Sequence, residues 1–233
     1  MPRVHVGQAS LKGHIERYAK TFDLLEVKSE PALPSVKSLK RLSQQAPEGF
    51  LFSLVLPKKL AELSETPAAA TLAEVRAAAS ALGARFVLVR TPATFAPSTR
   101  SRSRLTALVE GLRSDTARVA WEPRGIWTDE EIALWAAELD ILAVRDLAEQ
   151  DPVPGPLVYT RLLALGRNAR VGSGAIERVS ERLEGVEEAF VIVEGQGAVQ
   201  LAKRLRAENA DESAEADEEE LDEDADDDED FEE

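Results

Sequence analysis

Short apolar runs alternate with segments of helical periodicity along most of the chain. Eight runs rich in Val, Leu, Ile and Phe have the length of strands and are bounded by turn residues. Between them, apolar residues recur at the spacings typical of amphipathic helices. The predicted strands are residues 3–7, 22–29, 50–57, 85–92, 118–123, 140–146, 157–165 and 189–195.

A helical segment follows nearly every predicted strand. The exception comes after the sixth strand, where "LAEQDPVPGP" contains too much proline for a full helix. The sixth helix is therefore expected to be short or missing. The predicted helices are residues 11–22, 35–46, about 70–82, about 100–113, 128–139, about 173–183 and 198–208.

This order predicts an α/β fold with a parallel sheet, because parallel neighbours need a long crossover that a helix supplies. Nearly continuous apolar strands fit burial on both faces. Eight units predict one closed (β/α)₈ barrel of the TIM type over residues 1–207. An open doubly wound sheet remains the alternative, since periodicity does not separate the two. No G-x-G-x-x-G motif follows the first strand, so a dinucleotide site is not expected there.

The net charge of −15 is concentrated at the C-terminus. Residues 208–233 contain 18 acids and no base, which leaves 25 of the 43 acids against 28 bases in residues 1–207. A block of like charge with few apolar residues is expected to be disordered. This acidic tail either keeps the protein soluble or folds back on a basic surface.

Composition excludes several kinds of site. Without cysteine the chain has no disulfide, thiolate metal site or cysteine nucleophile. His5 and His14 are the two histidines, so a histidine-rich zinc cluster is also excluded. No apolar run approaches about 18 residues, and the N-terminus lacks a signal-peptide pattern. A cytoplasmic protein without a membrane span is expected.

Charged residues gather where the predicted strands end, which in a barrel is the face that binds ligands. Glu26 and Lys28 are two residues apart in the second strand, and Glu122 and Arg124 are two residues apart in the fifth. Side chains alternate along a strand, so the two members of each pair are expected to face the same side of the sheet. A charge in a buried strand needs a partner or water. Glu122 and Arg124 should therefore face each other, an opposite charge or a wet mouth. Further candidates at this mouth are Lys58, Arg90, Arg145, Asp146, Arg161 and Glu194.

Four segments resemble the YecE-like family (domain of unknown function 72). They are "FDLLEVKSEPALPSVKSLKRLSQQAPEGFLFSLVLPKKL", "VRTPATF", "VAWEPRGIW" and "VYTRLLALGR". The resemblance implies a TIM-type barrel with a polar pocket at the strand ends, but no established reaction. The chain keeps five residues of the family pattern, which are Glu26, Glu122, Arg124, Tyr159 and Arg161.

The chain also departs from the family pattern. Lys28 replaces an asparagine and Arg90 a glutamine, while residues 163–165 replace a histidine-glycine pair. Loss of that histidine removes the best general acid-base candidate. The chain is therefore interpreted as a divergent member with altered or lost activity.

The first functional hypothesis is binding of a small anionic, phosphorylated ligand at the mouth. Glycine-rich turns after the seventh and eighth strands, "LGRNARVGSG" and "EGQGAV", suit phosphate bound at helix N-termini. The predicted ligand-binding residues are Lys28, Lys58, Arg90, Tyr159, Arg161, Arg167, Glu194, Gly195 and Gly197.

Two alternatives remain. A hydrolase would use a carboxylate pair, with Glu26, Glu122 and Arg124 as catalytic candidates, although neighbouring cations should lower the carboxylate pKa values. The same acids would suit Mg²⁺. A nucleic-acid-binding protein modulated by its acidic tail would use two basic clusters, Arg100, Arg102, Arg104 and Lys37, Lys40, Arg41. The sequence indicates no cofactor or oligomeric state, and it leaves open whether the protein is an enzyme.

Overall fold

The computed structural model describes residues 2–163, 173–194 and 198–204, within which eight parallel strands close into a barrel in chain order. The closing pair is β8 with β1, where Val191 lies opposite Val6. A closed sheet has no edge, so the predicted barrel is confirmed and the open sheet was wrong. The strands are β1 (Arg3–Gln8), β2 (Leu24–Val27), β3 (Leu51–Val55), β4 (Ala84–Arg90), β5 (Arg118–Glu122), β6 (Leu142–Arg145), β7 (Leu157–Leu163) and β8 (Glu188–Glu194).

The helices surround the barrel and begin and end at recognisable signals. At the start of α6, Thr128 and Glu131 form a capping box. At the end of α4, Gly83 takes a left-handed conformation with φ of 65°. The helices are α1 (Ile15–Tyr18), α2 (Val36–Gln45), α3 (Lys58–Ala61), α4 (Ala69–Leu82), α5 (Thr99–Leu112), α6 (Asp129–Leu139) and α7 (Ser173–Arg182), and residues 198–204 are also helical.

The connection from β6 to β7 contains no helix. Residues 147–156 form turns and irregular chain, as the proline content predicts. The outer side of β6 is therefore covered by α6 and by this irregular segment, not by a helix that follows the strand.

Side chains alternate between the barrel interior and the helical layer. In β5, Ala120 points inward and Trp121 packs outward against the helices, both without measurable exposure. Three aromatic rings point inward, and that of Phe86 packs edge to face against Tyr159 at 5.2 Å and against Phe190 at 4.6 Å between centroids. They fill the barrel, so the inward positions closer to its C-terminal end lie above an apolar plug.

No helix in the described part of the chain is long and apolar enough to cross a bilayer. The acidic segment 208–233 lies outside the described residues, so its disorder and the boundary at residue 207 stay predictions.

Candidate functional site

The inward positions change from apolar to charged toward the C-terminal ends of five strands. In β7 the inward residue after Tyr159 is Arg161, and in β2 the one after Leu24 is Glu26. Strands β4, β5 and β8 follow the same alternation and contribute Arg90, Glu122 and Glu194. We call these five residues the mouth network: Glu26, Arg90, Glu122, Arg161 and Glu194.

Arg161 is the centre of the mouth network. Its guanidinium binds Glu26 through two bonds, from Nε to Oε1 at 2.9 Å and from Nη2 to Oε2 at 3.1 Å. Its Nη1 donates to Oε2 of Glu122 at 2.6 Å, and its Nη2 also donates to Oε1 of Glu194. One buried cation thus joins carboxylates from three strands, so a charged partner for Glu122 is confirmed.

Arg90 and Tyr159 complete the pairing. Arg90 donates to Glu122 from Nε at 2.7 Å and from Nη2 at 3.4 Å. The hydroxyl of Tyr159 donates to Oε1 of Glu26 at 2.8 Å. With all five members ionised, two cations face three carboxylates, and the network has a net charge of about −1.

The pKa values of the two buried glutamates are shifted in opposite directions. Burial raises the pKa of Glu26 above its ordinary value of 4.5, and the opposing attraction of Arg161 is the weaker effect. Burial acts in the same direction on Glu122, but Arg161 and Arg90 outweigh it and lower the pKa of Glu122. The expected lowering of carboxylate pKa values is thus confirmed for Glu122 and was wrong for Glu26. The reason is that the side chain of Glu26 has 0% exposure.

The other buried members favour a fixed charge state. Burial works against the charged form of Arg161, but Glu26 and Glu122 raise its pKa. Burial also raises the pKa of Tyr159 well above its ordinary value, and Glu26 adds to this. Arg161 therefore stays charged and Tyr159 stays protonated across the physiological range.

Solvent reaches only the upper members of the network. Side-chain exposure is 28% for Arg90 and 34% for Glu194, against 2% for Arg161. Among the described residues, Nη1 of Arg90 and Oε2 of Glu194 make no hydrogen bond. These two groups are the ones available to a ligand.

Three predicted rim cations lie outside the mouth network. Strand β5 ends at Glu122, so Arg124 lies in the following loop, exposed and without an ion pair to another described residue. Alternation holds only within a strand, so the parity argument does not extend to Arg124, and its predicted orientation stays a prediction. Lys28 is likewise exposed beyond the end of β2, and Lys58 is exposed at the start of α3.

Strand β6 contributes nothing to the mouth. Leu142 and Val144 face the interior, so Arg145 faces outward and bonds Asp129 with its Nη2 at 2.6 Å. The expectation that Arg145 lies in the mouth was therefore wrong. Arg167, Gly195 and Gly197 lie outside the described residues, and their predicted role stays a prediction.

The predicted basic cluster of α5 is largely engaged by the protein itself. Arg102 pairs with Glu138, and its guanidinium lies 5.7 Å from the Trp135 ring. Arg104 donates to the carbonyl of Leu63 at 3.0 Å. The bases of the other predicted cluster, Lys37, Lys40 and Arg41, are exposed on α2.

One inward residue was missed by the sequence interpretation. Ser53 of β3 pairs in register with Glu26 and is fully buried. Ser53 is a polar residue at an inward position of an otherwise apolar strand, and this pattern could have identified it. Within the described ranges, no group of three or more histidine, aspartate and glutamate side chains is placed to hold a metal ion.

Known proteins share both sequence pattern and fold with this chain. The family model "Protein of unknown function DUF72" matches residues 6–225. A DUF72 family protein from Enterococcus faecalis is similar, with 17% identity, coverage of 89% of this chain and 97% of the other, and a TM-score of 0.70. A DUF72 family protein from Thermotoga maritima has 17% identity, coverage of 88% of this chain and 99% of the other, and a TM-score of 0.68.

A barrel outside that family is similar in fold alone. A D-tagatose 3-epimerase-like protein has 17% identity, coverage of 91% of this chain and 99% of the other, and a TM-score of 0.58. No curated protein matches the chain. The resemblance to the YecE-like family is confirmed by the family match, and the chain belongs to the DUF72 family of proteins of unknown function.

Proposed function

We propose that the C-terminal mouth of the barrel binds a small anion that also bears hydroxyl groups, such as a sugar phosphate. The observation that carries this proposal is the bridging of Glu26, Glu122 and Glu194 by Arg161. Buried, mutually paired charges at the ligand-binding end of a barrel are candidates for a functional site.

The exposed members of the network favour a ligand with two kinds of group. Nη1 of Arg90 is a charged donor suited to a phosphate oxygen. Oε2 of Glu194 is an acceptor suited to a hydroxyl. A bare anion would meet repulsion from Glu194, whereas a sugar phosphate satisfies both groups.

Affinity for the anion requires more positive charge than the network supplies. With all five members ionised the mouth network is net negative, so attraction must come from the exposed cations at the same ends of the strands, Lys28, Lys58 and Arg124. The predicted glycine-rich turns would add backbone N–H donors. Exposed charges are screened by salt, so we expect binding to weaken as ionic strength rises.

Calorimetric titration with ribose 5-phosphate, ribose and inorganic phosphate tests the proposal. We expect ribose 5-phosphate to bind most tightly, and Arg90→Gln to weaken it about tenfold, because a hydrogen bond to a charged group is lost. The matched control is Arg85→Gln in the same strand. Arg85 is half-exposed and pairs with Glu188 at the opposite end of the barrel. No heat from ribose 5-phosphate, or equal losses in both variants, would reject the proposal.

A hydrolase is the second candidate, favoured by the opposite pKa shifts of two neighbouring carboxylates. Glu26 is buried beneath Arg161, so a substrate would contact Glu122 or Glu194 first. Turnover of nitrophenyl glycosides that is lost in Glu122→Gln and retained in Arg85→Gln would support a hydrolase. An absence of turnover across a glycoside panel would leave the mouth as a binding site only.

A further inference from the structure

The helix-free connection after β6 leaves a cavity of about 240 Å³ against the outer side of that strand. Its walls come from α6, from β6 and from the proline-rich segment of residues 152–156. Small side chains leave the space open, and those on α6 and β6 are Ala133, Ala136, Ala137 and Ala143.

Hydrogen bonds hold the outer wall in place. The backbone N–H of Leu147 donates to Oγ1 of Thr160 at 3.1 Å. From α7, Arg182 donates to the carbonyl of Leu147 and to Oδ1 of Asp151, both at 2.7 Å. A wall tied to β7 and α7 cannot easily collapse onto β6, so the cavity is a preformed feature of the fold.

A buried cation lines the cavity and is incompletely paired. Arg145 is 5% exposed, and its Nη2 bonds Oδ1 of Asp129 at 2.6 Å. Its Nε is buried and has no hydrogen-bond partner. Nε has no accessible surface, so a ligand in the cavity cannot reach it. Nη1 makes no hydrogen bond to another described residue and keeps accessible surface, so an acceptor in the cavity would be favoured at Nη1. The other arginine of the lining, Arg118, already pairs with Asp140 at 3.1 Å.

We propose that this cavity binds a small monocarboxylate with an apolar body. A carboxylate matches the geometry of a guanidinium, and the alanine side chains would contact the apolar part. The space is sufficient, since a cavity of about 150 Å³ already accommodates benzene. Benzoate is therefore a suitable probe. Because Arg145 faces outward and Arg161 inward, this site is separate from the mouth and does not depend on the function proposed above.

Benzoate binding to the full chain tests the proposal, measured by ligand-detected NMR and by calorimetry. We expect saturable binding of benzoate, with benzamide about tenfold weaker because it lacks the charge that pairs with Arg145. Arg145→Gln should weaken benzoate binding by a similar factor. Ala137→Leu should abolish binding by filling the cavity, and since Ala137 is exposed on α6 this variant should fold normally.

The mouth variant Arg90→Gln is the matched control and should bind benzoate as the unaltered protein does. Three results would overturn the proposal: no saturable benzoate binding, equal binding of benzamide, or binding that survives Ala137→Leu. Loss of benzoate binding in Arg90→Gln would also overturn it, because the ligand would then occupy the mouth. The comparison of benzoate with benzamide uses the unaltered chain, so it holds even if Arg145→Gln fails to fold.

Discussion

Replacing Arg161 with methionine removes the shared partner of three carboxylates while keeping a long, flexible side chain at the position. Glu26, whose side chain has 0% exposure, would retain only the hydroxyl of Tyr159. Glu122 would retain Arg90. Breaking a buried ion pair from one side costs about 3–5 kcal/mol. That is a large part of the about 5–15 kcal/mol by which domains are stable.

Urea unfolding followed by tryptophan fluorescence measures this loss. The three tryptophans lie together beside β5, with ring centroids 5.1 Å apart for Trp121 and Trp127 and 4.6 Å apart for Trp127 and Trp135. The control Arg85→Met removes a partly exposed pair and should cost about 0–1 kcal/mol.

The loss in Arg161→Met should also depend on pH. Without its cation, the buried carboxylate of Glu26 is unfavourable when ionised, and protonation removes that penalty. The variant should therefore recover part of its free energy of unfolding as pH falls toward 4.5, the ordinary pKa of glutamate. A loss no larger than that of Arg85→Met, with no dependence on pH, would refute the reasoning.

Three further predictions concern the same barrel. Because the pKa of Glu122 is lowered, its stabilisation is present above about pH 4.5 and is lost as pH falls through its folded value. Glu26, with a raised pKa, contributes stability that is present below about 4.5 and is lost as pH rises through its folded value. Acidification should therefore reduce the difference in free energy of unfolding between the unaltered protein and Glu122→Gln, and increase the difference between the unaltered protein and Glu26→Gln. Urea titrations at several pH values measure both differences. If the free energy of unfolding of all three proteins changed with pH in parallel, the assignment would be contradicted. Gly7→Ala should destabilise by about 1–3 kcal/mol, because its Cβ would meet the backbone of Leu24, whereas Gly155→Ala has open space and should be nearly neutral in the same assay. Thr128→Ala should cost about 1 kcal/mol through loss of the capping box, and an unchanged urea midpoint would contradict that role.

The sequence was sufficient for the fold because two independent patterns agree. Helical segments follow seven of the eight predicted strands, which favours a parallel sheet. Charges also appear at the ends of apolar strands, and Glu26, Glu122 and Arg161 converge as the barrel requires. Both patterns depend on local sequence, so neither needs knowledge of distant contacts.

The residues that form the mouth could not be predicted as accurately as the fold, because they depend on the residue at which each strand ends. Lys28 and Arg124 keep the parity of their glutamates, but each lies beyond the last paired residue of its strand. Which carboxylates lie level with Arg161 depends on the register between strands, which a single sequence does not reveal. Arg145 is the last residue of a strand that is otherwise apolar on both faces, so its outward direction had no signal.

Arginine Nε–H NMR spectra, recorded during a titration with ribose 5-phosphate, test the central claim most directly. The account predicts that the Nε–H of Arg161 exchanges slowly with solvent because it is buried against Glu26. It also predicts that the Arg90 resonance shifts as ligand is added while that of Arg85 does not. Rapid exchange of Arg161 together with an unmoved Arg90 resonance would contradict it.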